Sequence, residues 1–255
     1  MPQMSPAKIL EIPFRVLLIT ILIFTLIGPT FSQDSTSVSL LEFKYGLHFP
    51  MADMKDRFGV NSTLGIGFEK VLPGKIYLGI DGSFYFGGRV NEDVLEELRS
   101  FDGSIIGQNG VPGNVSLRER GYYLGLNAGK IFGKSNSLSG LRLQVGAGFL
   151  QHKIRVQDNF NSIRALEVDN VKGYDRLTNG PALHLAAGYH YQNPRNNFHF
   201  AIMGDLYSAF TKSRRDFDNL TGGYLEGNRT DILAGVTLSY VVSISREKDA
   251  DQIYY

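Results

Sequence analysis

Residues 41–49 read LEFKYGLHF, and two kinds of side chain alternate through them without a break. The odd positions are all apolar or aromatic, whereas the even positions carry a carboxylate, an amine, a glycine and an imidazole. Successive side chains of a β-strand point to opposite faces. An apolar face opposite a charged one predicts lipid on one side of this strand and a polar interior on the other.

The same alternation recurs in seven further segments, which begin near residues 63, 76, 122, 141, 183, 198 and 232. The connections between the segments alternate between short (72–75, 133–140 and 192–197) and long (50–59, 87–118, 157–180 and 211–227). Only helices and closed barrels satisfy every backbone hydrogen bond in lipid. The pattern therefore predicts an all-β fold, an antiparallel up-and-down transmembrane β-barrel of eight strands with short periplasmic turns and long extracellular loops.

The N-terminus has the features of a secretory signal peptide. Lys8 and Arg15 precede an apolar run from Val16 to Ile27, which Gly28 and Pro29 end. A membrane anchor is the alternative, but this run is shorter than the roughly 20 residues that a spanning helix needs. We expect a signal peptide at 1–32, an outer-membrane barrel at 33–244 and a periplasmic tail at 245–255.

The composition excludes several classes of function. The chain has no cysteine, so it has no disulfide, thiolate metal site or lipid-modified cysteine. Its formal net charge of +1 provides no basic field for nucleic acid. The sequence assigns no catalytic residue, no cofactor and no metal ligand.

The aromatic residues indicate which face of the sheet meets lipid. Membrane barrels gather aromatics at both interfaces, whereas a soluble β-barrel has no reason to do so. With the N-terminus on the periplasmic side, the outward aromatics fall into an outer and an inner group. The outer group is Phe49, Phe84, Phe86, Tyr122 and Phe149, and the inner group is Phe68, Tyr189, Tyr191, Phe198, Phe200 and Tyr240.

These residues resemble a known family. The leader ending near Phe31-Ser32-Gln33, the glycine-rich strands at 64–68 and 123–129, and the closing strand at 232–242 are similar to PorT-like outer-membrane β-barrels. The resemblance implies an integral protein of the cell outer membrane, and some members of that family take part in protein secretion or gliding. This chain departs from the commonest barrel ending, because residues 245–255 follow its last strand.

The predicted lumen carries many ionisable side chains. An eight-stranded barrel is just narrow enough to be filled by side chains, so we expect these groups to pair as a polar network. The residues are Glu42, Lys44, Glu69, Asp81, Arg142, Asp205 and His199. A narrow channel is the alternative.

A second group points inward near the outer rim, and it comprises His48, His152, His184 and Asp231. Imidazoles beside carboxylates suit acid–base catalysis or metal binding. Some small outer-membrane barrels modify lipid A with such a histidine, a serine and an acid. We find no serine beside these histidines, because Ser83 lies toward mid-strand and Ser208 has outward parity. Lumen hydrogen bonding is therefore favoured over a lipid A-modifying enzyme.

The loops are the remaining candidates for function. Residues 91–100 predict a short amphipathic helix capped by Asn91, and the third long loop predicts two extra strands. Lys212, Arg214 and Arg215 in the fourth loop could touch lipopolysaccharide phosphates. We expect a structural or protein-interaction role, of which an accessory part in a secretion or surface assembly is one form. The expected partners are outer-membrane lipid, lipopolysaccharide and a protein bound through the extracellular loops.

The turn at 193–196 makes a separate prediction about register. A symmetric four-residue hairpin would place Tyr191 opposite Phe198 and His190 opposite His199.

Overall fold

A computed structural model describes residues 37–134, 137–167, 170–193, 198–225 and 227–244. The predicted signal peptide at 1–32 and the predicted tail at 245–255 lie outside the described residues. The strands are β1 Val38–Ala52, β2 Asn61–Val71, β3 Ile76–Gly87, β4 Val115–Phe132, β5 Gly140–Asp158, β6 Thr178–Gln192, β7 Phe198–Ser213 and β8 Asn228–Ile244. A short helix, α1, spans Asp53–Arg57, and 3-10 turns lie at Pro73–Lys75, Glu96–Leu98, Arg164–Leu166 and Val171–Gly173. None of the helices in these ranges is long and apolar enough to cross a membrane.

The eight strands form one closed antiparallel barrel in sequence order. β1 pairs with β8 along most of its length, from Ser39 opposite Ile244 to Ala52 opposite Asp231. Closure leaves no strand edge without a hydrogen-bonding partner, which is the condition for a sheet to span lipid. The predicted fold class is therefore confirmed.

The outer surface of the barrel is an apolar belt. Side chains that would be buried in a soluble protein are exposed here, with Leu124 at 63% and Leu126 at 67%. At the periplasmic end, four aromatic side chains face one another on successive strands, with Tyr191 opposite Phe200, Phe200 opposite Tyr240 and Tyr240 opposite Phe43. The Tyr191 and Phe200 rings lie 5.0 Å apart. This surface identifies the protein as an integral barrel of the outer membrane.

The interior is filled in layers. An apolar floor closes the periplasmic end, and it consists of Leu40, Val71, Tyr77, Ile131 and Val241. A larger apolar cluster closes the extracellular end, and the loops contribute to it. Charged and imidazole side chains occupy the space between the two. The lumen is thus a core rather than a pore.

Strands β4 and β5 extend further toward the extracellular side than the sequence indicated. They pair from the periplasmic turn out to Val115 opposite Asp158. Residues 115–118, which we assigned to the second loop, and residues 157–158, which we assigned to the third, therefore belong to a β4–β5 hairpin that extends above the membrane.

Three local predictions were wrong. In the β6–β7 hairpin, Gln192 pairs with His199 and Tyr191 with Phe200, so the turn is two residues longer than predicted. An even shift keeps every side chain on its face, which is why the inward and outward assignments still hold.

The segment 91–100 contains only the 3-10 turn Glu96–Leu98. The Asp93 carboxylate accepts from the Leu95 backbone N–H and pairs with Arg99, while the Asn91 amide donates to Lys55 O instead of capping a helix. A helix this short gains little by itself, so packing of Val94 and Leu95 into the barrel mouth decides its shape. The described part of the third loop likewise forms 3-10 turns instead of strands.

Lumen glycines allow the tyrosines of the core to lie on the barrel wall. A Cβ atom at Gly129 would lie 2.3 Å from the Tyr77 hydroxyl and from the Leu143 backbone oxygen. At Gly204, which faces lipid on β7, the nearest atom would be 3.6 Å away. Gly129 is therefore a position where only glycine fits.

Substitution of these two glycines tests the packing of the lumen. We expect Gly129→Ala to destabilise the folded barrel by about 1–3 kcal/mol, because the wall or Tyr77 must shift. Gly204→Ala is the matched control and should fold as the wild type does. Boiled and unboiled samples compared on detergent gels across a urea series measure the folded fraction, and equal midpoints for the two variants would contradict this packing.

Candidate functional site

Arg142 on β5 is the centre of the lumen. Its guanidinium is fully buried and donates to Glu42 on β1 through Nη1 and to Glu69 on β2 through Nη2, the second at 2.6 Å. Its Nε donates to the Tyr77 hydroxyl at 3.0 Å, and the guanidinium lies 4.6 Å from the centre of that ring. One planar cation therefore binds three different strands, as the fork of donors on arginine permits.

Lys44 extends this network toward the outer end. Its Nζ lies 3.3 Å from Glu42 Oε2 and 3.0 Å from Asp81 Oδ2 on β3. Glu42 is thus shared between two cations, and Lys44 adds a second contact to β3. Buried charges are stable only when they are paired in this way.

A layer of imidazole and phenol rings lies above the charged network. His184 Nε2 is 2.9 Å from Asp205 Oδ1, and His48 Nε2 is 4.0 Å from the other oxygen of the same carboxylate. The Tyr207 ring stacks on His184 with centroids 4.0 Å apart and planes inclined by 2°. Thr63 Oγ1 lies 2.9 Å from His48 Nδ1. Asp205 therefore joins two of the rim histidines into one buried unit.

The structure also connects the two sets that the sequence analysis kept apart. Gln144 accepts from Arg142 at 3.2 Å and lies 3.4 Å from His184 Nδ1. On the periplasmic side, His190 is 3.5 Å from Arg142, and its other ring nitrogen is 3.3 Å from His199. The seven predicted lumen residues are thus brought into one continuous set of contacts, with Gln144 and His190 as links that we did not identify from the sequence.

His152 occupies a different place from His48 and His184. Its Nε2 lies 2.8 Å from Asp231 Oδ2, and Thr211 donates its hydroxyl to the same oxygen. The Phe58 ring covers the imidazole edge-on at 5.4 Å, and His152 and Asp231 are both buried. The hydroxyl is bonded to the acid rather than to the imidazole, so this arrangement lacks an activated nucleophile.

The described ranges hold no group of three or more His, Cys, Asp or Glu side chains that could bind a metal ion. In the same ranges, no serine hydroxyl is hydrogen bonded to His48, His152 or His184. The rim histidines are placed as internal hydrogen-bonding groups.

The barrel mouth is closed by a loop cap, which we define as α1 together with the second and third long loops. Met54 and Phe58 from the α1 region, Val94 and Leu95 from the second loop, and Ile163 from the third are all buried against the strands. The sequence analysis missed α1. Its one signal was the four-residue spacing of Met54 and Phe58, which are both buried and which lie one helical turn apart.

A chain of ion pairs joins all four extracellular loops. Arg57 Nε of the first loop lies 3.0 Å from Glu92 of the second, and Glu92 lies 3.1 Å from Arg176 Nε of the third. Arg176 in turn pairs with Asp218 of the fourth loop. Burial lowers the pKa of Arg57 to about 10, and Arg229 nearby adds to the effect, so Arg57 stays charged at neutral pH. We call this the loop ion chain.

Two arginines in the basic run of the fourth loop already have protein partners. Arg215 pairs with Asp175, and Arg214 donates to Asn179. Large apolar side chains are exposed on the outer surface of the cap and of the fourth loop, away from the lipid belt. They are Phe101, Ile106, Val111, Phe160, Phe217 and Tyr224, of which Phe101 is fully exposed.

Little empty space remains in the lumen. The cavity beside Lys44, Arg142, His184 and Asp205 has a volume of about 20 Å³, which is room for a single water molecule. The apolar floor and the loop cap close the lumen on either side of it. These layers argue against the narrow channel that the sequence left open.

Removal of the central cation tests the network. We expect Arg142→Met to cost about 3–5 kcal/mol of unfolding free energy, because Glu42 and Glu69 would keep their burial and lose their partner. The triple variant Glu42→Gln, Glu69→Gln, Arg142→Met should recover much of that loss. Arg155→Met, at an exposed position on the same strand, is the control. Urea unfolding in lipid vesicles measures all three, and a neutral Arg142→Met would show that the charges are not interdependent.

Planar-bilayer recording tests the filled lumen. The folded wild-type barrel should insert without producing stable conductance steps, because the floor, the network and the cap leave no continuous wet path. A porin inserted under the same conditions serves as the positive control. Reproducible single-channel steps from the folded protein would contradict the packing described above.

Comparison with known proteins finds similarity in solved structures. No protein-family model and no curated protein matches the chain. Neisserial surface protein A has a TM-score of 0.44 and 9% identity, with 82% of this chain and all of that chain covered. Ail of Yersinia pestis, solved with the heparin analogue sucrose octasulfate, has a TM-score of 0.42 and 11% identity, covering 81% of this chain and 99% of Ail.

The N-terminal β-barrel domain of Pseudomonas aeruginosa OprF has a TM-score of 0.37 and 15% identity, covering 80% of this chain and 96% of that domain. Such low identities concern architecture only. On the grounds of its own closed sheet, apolar belt and filled lumen, this chain is an integral outer-membrane β-barrel protein of eight strands.

Proposed function

We propose that this protein is a surface anchor whose loop cap binds another protein of the cell envelope. The observation that carries the proposal is the contrast between a lumen filled by its described side chains, with a cavity of about 20 Å³, and a well-packed cap with exposed aromatic side chains. A filled lumen offers no path for solutes, so the accessible side chains of the protein that could bind a partner lie on the loops.

Two features of the cap support binding. The loop ion chain and the apolar cluster hold the loops in one arrangement, which reduces the entropy lost on association. Second, the exposed apolar side chains of the second and third loops lie on adjacent segments, since Gln108 N donates to Ser162 O at 2.8 Å. Ile106 and Val111 flank the first of these residues, and Phe160 precedes the second. Exposed aromatic and aliphatic groups in one place favour a protein interface.

The resemblance to PorT-like barrels supports a narrower version of the proposal. Membership of that family would make the partner a component of a secretion or surface assembly. A catalytic role finds less support, since the histidines near the rim are buried and paired with carboxylates. We also propose that lipid of the outer membrane, including lipopolysaccharide, surrounds the barrel and touches the fourth-loop cations Lys212 and Arg214.

Site-specific photocrosslinking in living cells tests the proposed partner. A photoreactive amino acid at Phe101 or Phe160 should give a discrete protein adduct, because both side chains are exposed on the cap. The same amino acid at Leu126, whose exposed fraction of 67% is close to the 74% of Phe160 but which faces lipid, is the matched control. If the cap positions gave no protein adduct, or gave the same products as Leu126, the proposal would fail.

A further inference from the structure

Four cations form a compact square on the outward face of the β4–β5 hairpin. Arg118 lies directly opposite Arg155, and Arg120 lies directly opposite Lys153. Along each strand the two cations are two residues apart, so all four side chains point to the same face. We call this group the cationic square.

The square has few partners among the described residues. The side chains of Arg118 and Arg155 are exposed, and neither guanidinium makes a hydrogen bond or ion pair to a described residue. Arg120 donates to the backbone oxygen of its neighbour Glu119 at 2.6 Å, and the Lys153 ammonium lies 3.7 Å from Asp175. The Lys153–Asp175 contact is therefore the one carboxylate contact that we find for the square.

This arrangement is unfavourable for the isolated protein. Like charges directly opposite each other on paired strands destabilise a sheet. Partial burial lowers the pKa of Arg120, and repulsion from the nearby Arg155 and Arg118 lowers it further. The repulsion would be relieved by an anion that binds between the side chains.

The height of the square indicates which anion that is. Tyr122 is the outermost lipid-facing aromatic residue of β4, and Phe149 of β5 lies one outward position deeper, opposite Leu124. Arg120 lies two residues beyond Tyr122 and Arg118 four, which is about 7 Å and about 13 Å along the strand and, at a strand tilt of about 40°, about 5 Å and about 10 Å along the membrane normal. The polar headgroup layer occupies roughly 5–8 Å on each side of the hydrocarbon. The inner pair of cations is thus level with headgroup phosphates, and the outer pair reaches the sugars above them.

The cationic square also lies on one side of the barrel. Polar and basic groups continue from it across β6 and β7, where Asn179 pairs with Lys212 and bonds Gln151 and Arg214. The outward rim positions on the remaining strands are uncharged, and they are Thr230 on β8, Met51 on β1, Ser62 on β2 and Phe86 on β3, the last of which lies directly opposite Arg120. A lipid held at the square would contact the apolar belt of β4 and β5 directly below it.

We propose that the cationic square is a binding site for the phosphorylated headgroup of one lipopolysaccharide molecule, whose acyl chains lie along the outer surface of β4 and β5. The inner pair, Arg120 and Lys153, binds the lipid A phosphate. The outer pair, Arg118 and Arg155, binds anionic groups of the adjoining sugars. Guanidinium groups suit this task because they form paired hydrogen bonds to phosphate oxygens. The inference rests on the proposed function only in that both require the loops to face the cell exterior, and it is independent of the protein partner.

The test compares two double variants of the full-length protein, folded in nonionic detergent. Arg118→Gln with Arg155→Gln removes two charges of the square. Lys55→Gln with Lys172→Gln removes two exposed loop cations elsewhere and is the matched control. The probes are purified lipopolysaccharide, the same material after enzymatic dephosphorylation, phosphatidylglycerol micelles and a heparin fragment.

We expect the first variant to bind lipopolysaccharide about tenfold more weakly than the wild type, because two charge-assisted contacts are lost. The affinity of the control variant should stay within about twofold of the wild-type affinity. Binding should weaken with added salt and with dephosphorylation. Without lipopolysaccharide, the first variant should be at least as heat-stable as the wild type, because a repulsion is removed. A merely structural role for these arginines would instead lower its stability.

Three results would overturn the proposal: unchanged affinity in the first variant, equal binding of the dephosphorylated material, or a preference for phosphatidylglycerol or the heparin fragment over lipopolysaccharide. The orientation is tested separately. The chain has no cysteine, so Lys172→Cys gives a unique site for a membrane-impermeant maleimide on intact cells. Failure to label that site would contradict the orientation, while the detergent measurements report on the binding site itself.

Discussion

Lipid cannot hydrogen bond to a peptide group, and this constraint determines the rest of the structure. The sheet has to close, so β1 pairs with β8 and no edge remains. Closure places one row of each strand in lipid and the other in a narrow interior. Because successive side chains alternate, the charges that a lipid-facing row excludes are collected inside.

The charged side chains in the interior must then pair with one another. Arg142 and Lys44 bind the carboxylates of Glu42, Glu69 and Asp81, and Asp205 binds two imidazoles above them. Apolar layers below and above exclude water from these pairs, which strengthens each contact and raises the cost of breaking it. The same packing leaves no aqueous path, and it moves the accessible chemistry of the protein to its outer end.

The outer end has two surfaces of different character. The loop cap is held by ion pairs and buried apolar groups, and it presents exposed aromatic side chains to the exterior. The wall beneath it carries the cationic square on one side only. A protein partner at the cap and a lipopolysaccharide molecule at the wall would occupy different surfaces and satisfy different groups.

The sequence by itself determined the strands and their faces, because alternation is a local property that each segment carries independently. The inward positions of Glu42, His48 and Arg142 follow from parity alone, and the two-residue error in the turn after Gln192 did not disturb any face. Only the tertiary structure decided the contacts that depend on strand register and on packing between residues far apart in the chain. Whether Arg118 meets Arg155 or an acidic side chain depends on the register of the long β4–β5 hairpin, which holds from Phe132 opposite Leu141 out to Val115 opposite Asp158. The shape of residues 91–100 depends on the barrel mouth that Val94 and Leu95 enter. The link from Asp205 to both His48 and His184 joins three separate strands, and no spacing along the chain encodes it.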